Sequence, residues 1–570
     1  MALSDLLAQT RPLVKQHIAA VPEPWPRYTL FLSFSDGRRR ASVVHASGED
    51  IDRLWTMVAA RCRRLAVRRG LEVRWLRADW VTAVRPLTWD ALRDTLKGFK
   101  RNYFRFGLAL DPHFDRAFLE GELNGNAMLY GGSGVNHAVV NEKNFRLYAC
   151  QRFAGQEVDF SAEGQVFALE TQGVFCAGDT APVLLHPTGR KAGRRILKAR
   201  DPKVVRGMVE RGGHYLATQV QESGRFHYGW HPCFDRPIGT YNALRHASTV
   251  YSMLEAWEVT RDPVLLRAIE RALDYLVTEL IKPATLADGE QAAFLVDRGD
   301  EIKLGGNAVC LLALAKYSEL FDSNRYLAML EALALGIGAM QDPDSGEFVH
   351  VLNYPDLTVK EAFRIIYYDG EAAFGLMRLY RLTKDERWLA MVEKAFDSFI
   401  AREHWRAHDH WLSYCVNELT TYRPEERYFR FGIRNVADHL DFVLKRITTF
   451  PTLLELMMAA QQMIERLERD PAHRHLLAEI DLEKFDKALH FRAGYLMNGH
   501  FWPEYAMYFR NPQRILGSFF IRHHAFRVRI DDVEHYLSGF VAYFNHLQRE
   551  VSNEQDERSR RPVGRVGRVG

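Results

Sequence analysis

The chain has 570 residues, 47% hydrophobic and 26% charged, enough apolar bulk for a sizeable core and too much for wholesale disorder. Its 76 basic and 72 acidic residues leave a net charge of +4, too balanced to signal a nucleic-acid or anionic-membrane partner. No stretch reaches the roughly 18 uninterrupted apolar residues of a transmembrane helix, so no membrane span is expected.

At about 150 residues per domain the length suits three or four domains, or two if one is built from repeats. The opening segment, 1–24, has helical spacing but lacks the basic-then-apolar profile of a secretion signal. From residue 25 strand and helix patterns alternate. YTLFLSFSDG and ASVVH read as strands around a hairpin turn at SDGR. A helix is predicted from about Glu49 to Arg69, then a strand in LEVRWLRADWVTAV, then a helix N-capped by Thr88. Strands and turns from ALETQGVF onward run into a basic linker, so 25–200 is predicted to be an α/β domain.

After residue 200 the period is helical throughout. Three segments align, with Asn242, Asn307 and Glu371 in equivalent places 65 and 64 residues apart. Each has an apolar helix, a short polar turn (TRDP, FDSN, TKDE) and a second helix rich in Leu and Ala. Weaker copies follow, giving six candidate inner helices starting near 242, 307, 371, 411, 452 and 532, and six outer ones near 203, 263, 325, 386, 426 and 483. The tail, 551–570, is expected to lack structure because it has almost no apolar bulk.

Twelve alternating helices can close into a ring of six hairpins, and in that architecture 201–550 resembles the (α/α)6 toroid of six-hairpin glycosidases and related sugar epimerases and lyases. The resemblance implies a mainly α toroid after the α/β domain and a saccharide or polysaccharide as partner. Links from first to second helix are tight, whereas links into the next first helix are long and carry His, Asp, Glu, Arg, Trp and Tyr. All the long links of an alternating ring emerge on one face, where a cleft is expected.

Glycoside hydrolysis needs an acid and an opposing carboxylate. Asp369 and Glu371 in IIYYDGE, with Asp235 in the first long link, are the catalytic candidates of that kind. Epimerisation or β-elimination needs a base beside a carbonyl and a cation for the resulting anion, which His231 or His246 with Arg245 supplies. Trp230, Tyr241, Asn242, Asn307, Trp411, Arg529 and Asp532 complete the expected substrate-binding set, the aromatic rings stacking on sugar faces. Helix capping is the competing role for Asp369 and Glu371, and a hydrogen-bonded core position for His246.

No metal is expected, the nearest approach to a ligand set being His404, His408 and His410 in HWRAHDHW, with i, i+4 spacing for the first two. With no GxxxxGK[ST] and no GxGxxG after a strand, no cofactor is expected. The six cysteines are scattered without a CxxC, which fits a reducing compartment and a cytoplasmic location. A competing reading is a non-catalytic binding or scaffold protein of polysaccharide assembly. Another is a polyanion- or RNA-binding protein using the basic runs at 61–70 and 189–203, each of which also suits a solvated face or joint.

Overall fold

The computed structural model describes residues 2–560 apart from 156 and 179. The first helix, α1 (Leu3–His17), buries Leu6, Leu7, Thr10 and Val14, a stripe at helical spacing. It packs on α2 and on the sheet of the first, sheet-containing domain.

That domain contains β1 (Tyr28–Ser35), β2 (Ser42–Gly48), α2 (Ile51–Arg68), β3 (Trp75–Thr88), α3 (Trp89–Lys97), β4 (Gly107–Ala109), β5 (Ala117–Phe118), α4 (Glu120–Gly125), α5 (Glu142–Arg152), β6 (Gln165–Ala177) and β7 (Val183–Leu184). Strand order is β2-β1-β3-β6-β4-β5, with β7 also on β6. Every pairing is antiparallel, so the predicted α/β domain is an α+β one, without parallel crossovers. Asp50 caps α2 and Thr88 caps α3, each accepting from a backbone N–H three residues on.

The remainder is mainly helical. Its elements are α6 (Pro202–Gln219), β8 (Gly229–His231), β9 (Arg236–Pro237), α7 (Ala243–Thr260), α8 (Pro263–Tyr275), β10 (Ile281–Thr285), β11 (Gln291–Asp297), β12 (Glu301–Lys303), α9 (Leu304–Phe321) and α10 (Leu327–Gly338). They continue with β13 (Val351–Asn353), β14 (Val359–Glu361), α11 (Tyr367–Thr383), α12 (Glu386–Ala401), α13 (His410–Tyr422), α14 (Glu426–Ala437), the short α15 (Leu440–Lys445), α16 (Thr452–Leu467) and α17 (Leu482–Leu496). The single turns α18 (Pro503–Ala506) and α19 (Pro512–Ile515), then β15 (Val528–Arg529) and α20 (Ile530–Arg560), complete the chain. The last helix therefore runs into the stretch expected to lack structure, whose end, 561–570, lies outside the described residues.

Helices α7, α9, α11, α13, α16 and α20 form the inner ring, each packed on the next and α20 packed back on α7. Outside them lie α6, α8, α10, α12, α14 and α17. Composition decides which helix goes where. Every residue of α9 from Leu304 to Ala315 is buried, as a helix apolar all round requires, whereas α8 buries only Leu265, Ala268, Ile269, Ala272 and Leu273.

The tight turns share one device. Arg261, Asp322 and Lys384 end α7, α9 and α11 in the left-handed conformation, and Asp262 and Asp385 then cap α8 and α12. With the tight turns at one end of the ring, the long links gather at the N-terminal ends of the inner helices. There they form two small antiparallel sheets, β10 to β14 in order and β15-β8-β9.

The link between α17 and α20 plugs into the first domain. Tyr508 is buried there, its hydroxyl 2.9 Å from Ser33 Oγ, over Gly121 and Gly125, where any Cβ would collide with it. Arg77, paired with Asp79, donates to the carbonyl of Glu504 at 2.9 Å, while the Glu504 carboxylate holds Arg195.

Candidate active site

A cavity of about 420 Å³ opens at the N-terminal ends of the inner helices. Its walls come from the first turns of α7, α11, α13 and α20 and from the links at 449–452 and 521–529. Asn242, as N-cap of α7, accepts from the Arg245 N–H at 3.0 Å and brings Arg245 and Ser248 to the wall. Asp409, as N-cap of α13, accepts from the Leu412 N–H at 2.9 Å and places His410 and Trp411 in the first turn.

Two imidazoles meet there, the His410 and His535 ring centroids 5.4 Å apart at 78°. His410 Nδ1 lies 3.2 Å from Asp409 Oδ1, and its buried Nε2 has no hydrogen-bond partner. His535 Nδ1 is 2.9 Å from a Glu455 carboxylate oxygen and 3.7 Å from Glu534, which leaves Nε2 for a ligand. Burial alone would depress its pKa, but the charges of Glu534 and Glu455 outweigh that and raise it to about 10, so His535 is an imidazolium at neutral pH.

The carboxyls divide by environment. Burial first, then the charges of Asp409 and Glu534, push Glu371 well above the usual carboxylate range, and its Oε2 is unpartnered. Gly305 of α9 makes the room for it, since a Cβ there would strike Oε2. Glu534, bonded to Ser248 at 2.7 Å, is raised by burial to about 7.

At the rim Arg527 grips Asp532 through two bonds of 2.9 and 2.8 Å, and Arg529 and Arg245 hold Asp531 at 2.6 and 2.9 Å. Three guanidiniums against two carboxylates leave one positive charge on that wall.

The sequence candidates therefore separate. Glu371, Asn242, Arg245, Trp411, His410, Arg529 and Asp532 line the cavity. Asp369 does not. Two helical positions differ by about 200°, so with Glu371 inward Asp369 faces away. It lies 3.2 Å from His350 Nε2 and borders a separate cleft with Phe363 and His404. Because His350 Nδ1 accepts from the Arg364 N–H at 3.0 Å, Nε2 carries the proton that Asp369 takes, and the pair fixes the link ahead of α11.

His231 is exposed on β8, and Asp235 is tied to Arg514 at 3.1 Å and Asn511 at 3.2 Å. Trp230 donates to Gln219 at 3.0 Å under the Arg514 guanidinium, away from the cavity wall. His246 is a satisfied core histidine, its nitrogens 2.8 Å from the Tyr241 hydroxyl and 2.8 Å from the Ala272 carbonyl, and burial lowers its pKa to about 4. Tyr241 is spent on that bond, and Asn307 on joining β11 to α9 through Leu295 N–H and Lys303 O.

His404 and His408 do not join His410. The i, i+4 argument assumes a helix, but 404–407 is one 3-10 turn and His408 is left-handed, so His404 stacks on Phe399 and His408 on His439. Instead the candidate ligand atoms of His410, Glu455 and His535 lie within 4.8 Å of one another and could hold a cation.

His535, Glu534, Glu455, Tyr367 and Tyr368 escaped the sequence reading. For His535 a signal existed, because it stands four residues after Asp531 and so shares its helical face. Glu455 offered none, lying on α16 some 80 residues from its partner.

No protein-family model and no curated protein matches the chain. Among solved structures it is similar to a D-mannose isomerase, at 10% identity and a TM-score of 0.47 over 62% of this chain and 99% of that one. It is also similar to a cellobiose 2-epimerase from Bacillus thermoamylovorans, at 12% identity and a TM-score of 0.44 over 61% of this chain and 100% of that one. An alpha-1,6-mannanase from Salegentibacter sp. stands at 11% identity and a TM-score of 0.43, over 60% and 99% of the two chains. At such scores the chemistry of this cavity is carried by its own side chains alone.

Proposed function

We propose that the chain is an enzyme that moves a proton beside the carbonyl of a small saccharide, as an isomerase or epimerase does. One observation carries this reading: an unpartnered imidazole nitrogen on His410 and a carboxylate-held imidazolium on His535 face the same cavity. Its volume of about 420 Å³ falls within the roughly 300–1,000 Å³ of small-molecule sites. Trp411, Tyr367 and Tyr368 offer ring faces beside carboxyls and guanidiniums, the mixture that suits a sugar's apolar faces and hydroxyls.

The chemistry follows from those states. His410 Nε2 takes the proton from the carbon beside the carbonyl, and the electron pair moves onto the carbonyl oxygen as an enediolate. The His535 imidazolium stabilises that oxygen, with Glu371, whose burial favours the protonated carboxyl, as a second donor. Return of the proton from His410 to the neighbouring carbon, with the hydroxyl proton of the first carbon's oxygen passing to the former carbonyl oxygen, converts aldose to ketose. Delivery from His535 to the opposite face of the first carbon, as the carbonyl re-forms, inverts it, and exchange with water then reprotonates His535 and deprotonates His410. Glu455 acts through His535 and is a positioning residue. Hydrolysis fits the cavity less well, because Asp531 and Asp532, the carboxylates that could oppose Glu371 as base or nucleophile, are committed to arginines.

The test is proton NMR of aldoses and ketoses incubated with the protein in deuterated water. Solvent deuterium at the carbon next to the carbonyl, with or without net isomerisation, is the expected result. Cleavage of glycosides without exchange would overturn it. A companion variant, Asp369→Ala, is expected to leave exchange unchanged while losing about 1–3 kcal/mol of stability with its bond to His350.

The pH profile is a separate check. The folded pKa of His535, about 10, stands above the ordinary 6.5, so its charge stabilises the fold fully below pH 6.5 and that contribution disappears as pH rises through about 10. Turnover is expected to fall over the same upper limb, and the limb should vanish in His535→Asn. A flat profile to pH 11 would remove the imidazolium from the mechanism.

A further inference from the structure

Away from the cavity, where α16, α17 and α20 meet on the outside of the ring, two more histidines converge. His490 of α17 is 8% exposed and His546 of α20 is 5% exposed, with their ring centroids 6.0 Å apart. Each Nδ1 is held from behind. The Tyr543 hydroxyl is 2.7 Å from that of His490, and the Glu465 carboxylate 3.3 Å from that of His546. The Nε2 atoms then face carboxylates one helical turn away, His490 at 3.1 Å from Asp486 and His546 at 3.5 Å from Glu550. Despite that approach, the buried His490 Nε2 makes no hydrogen bond.

We infer that His490, His546 and Glu550 form a site for zinc or a similar borderline divalent cation, with Asp486 or a water as fourth ligand. Their ligand atoms all lie within 4.8 Å of one another. A tetrahedral zinc ion with ligands at about 2.0–2.2 Å needs donors some 3.3–3.6 Å apart, a contraction within reach of side-chain adjustment. Two imidazoles with carboxylate favour zinc over the hard cations magnesium and calcium, which prefer all-oxygen shells.

The groups behind the rings are the outer shell such a site requires. The Glu465 carboxylate accepts from His546 Nδ1–H, which turns that Nε2 lone pair outward, and the Tyr543 hydroxyl can accept from His490 Nδ1–H when its Nε2 binds a metal. Arg200 competes for Asp486 at 3.2 Å, which makes Glu550 the firmer carboxylate. Pairs at i, i+4 on two different helices would pin α17 to α20, the last outer helix to the last inner one. A cation bound only by the folded chain adds its binding free energy to stability.

The test uses the full chain, stripped with chelator and titrated with zinc chloride against a chromophoric competitor. His490→Gln and His546→Gln should each weaken zinc by at least about 10–100-fold, and Tyr543→Phe by less. His535→Gln, which disrupts the cavity trio, should leave this affinity unchanged. Equal affinity in wild type, His490→Gln and His546→Gln would overturn the assignment, as would zinc lost only with His535→Gln. Cobalt gives a second readout: an intense four-coordinate visible spectrum is expected in wild type and retained in His535→Gln, and a weak six-coordinate spectrum, no binding, or loss of the spectrum in His535→Gln alone rejects the site.

Discussion

His410→Asn is expected to slow proton exchange by about 10²–10⁴ in kcat/KM while the protein stays folded. The first turn of α13 keeps its cap, because Asp409 accepts from the Leu412 N–H whatever stands at 410, but the amide has nothing at the position of Nε2. That nitrogen has no partner to lose, so the substitution removes a reactive group without stranding a buried one. His535→Asn is a poorer first experiment, because it withdraws the cation facing Glu455 and Glu534 and so disturbs fold and chemistry together. Exchange rates by NMR beside a thermal melt separate the two effects. Activity within tenfold of wild type would remove His410 from the proton path.

Asp79→Ala should be the most destabilising single substitution proposed, costing about 3–5 kcal/mol. Asp79 is 1% exposed and its partner Arg77 7%, and the two share bonds of 2.8 to 3.1 Å. Removing the carboxylate leaves a buried guanidinium facing the carbonyls of Glu504 and Gly193 and the Tyr508 ring, with no counter-charge in hydrogen-bond contact among the described residues. Denaturant unfolding should show a lower midpoint for the variant, with Asp79→Asn falling between it and wild type. A loss below 1 kcal/mol would mean that water reaches Arg77.

The ring was legible because its repeat is written in local pattern. Asn242, Asn307 and Glu371 recur at one period, and apolar spacing alone separates α9 from α8. The long-link face followed from link lengths. What spacing could not convey is direction. Asp369 and Glu371 look alike two positions apart, yet point to opposite sides, and Trp230 and His231 belong to a hairpin beside the cavity instead of its wall. Pairs such as His535 with Glu455 or Tyr508 with Ser33 join distant parts of the chain, where no local periodicity operates. The strands β10 to β14 escaped for another reason: they are short and lie inside links whose polar residues hide the alternation.

The link from α17 to α20 is anchored in the first domain through two of its segments. Tyr508 and Glu504 seat one part, and Arg522 holds the other, its carbonyl accepting from Asn102 at 2.8 Å and its guanidinium facing Glu120 at 3.5 Å. The cavity residues Arg527 and Arg529 follow directly after that second anchor. This rim therefore behaves as the fixed jaw of a vice, backed by the whole antiparallel sheet. A ring expressed without the first 200 residues would lose the backing of that rim.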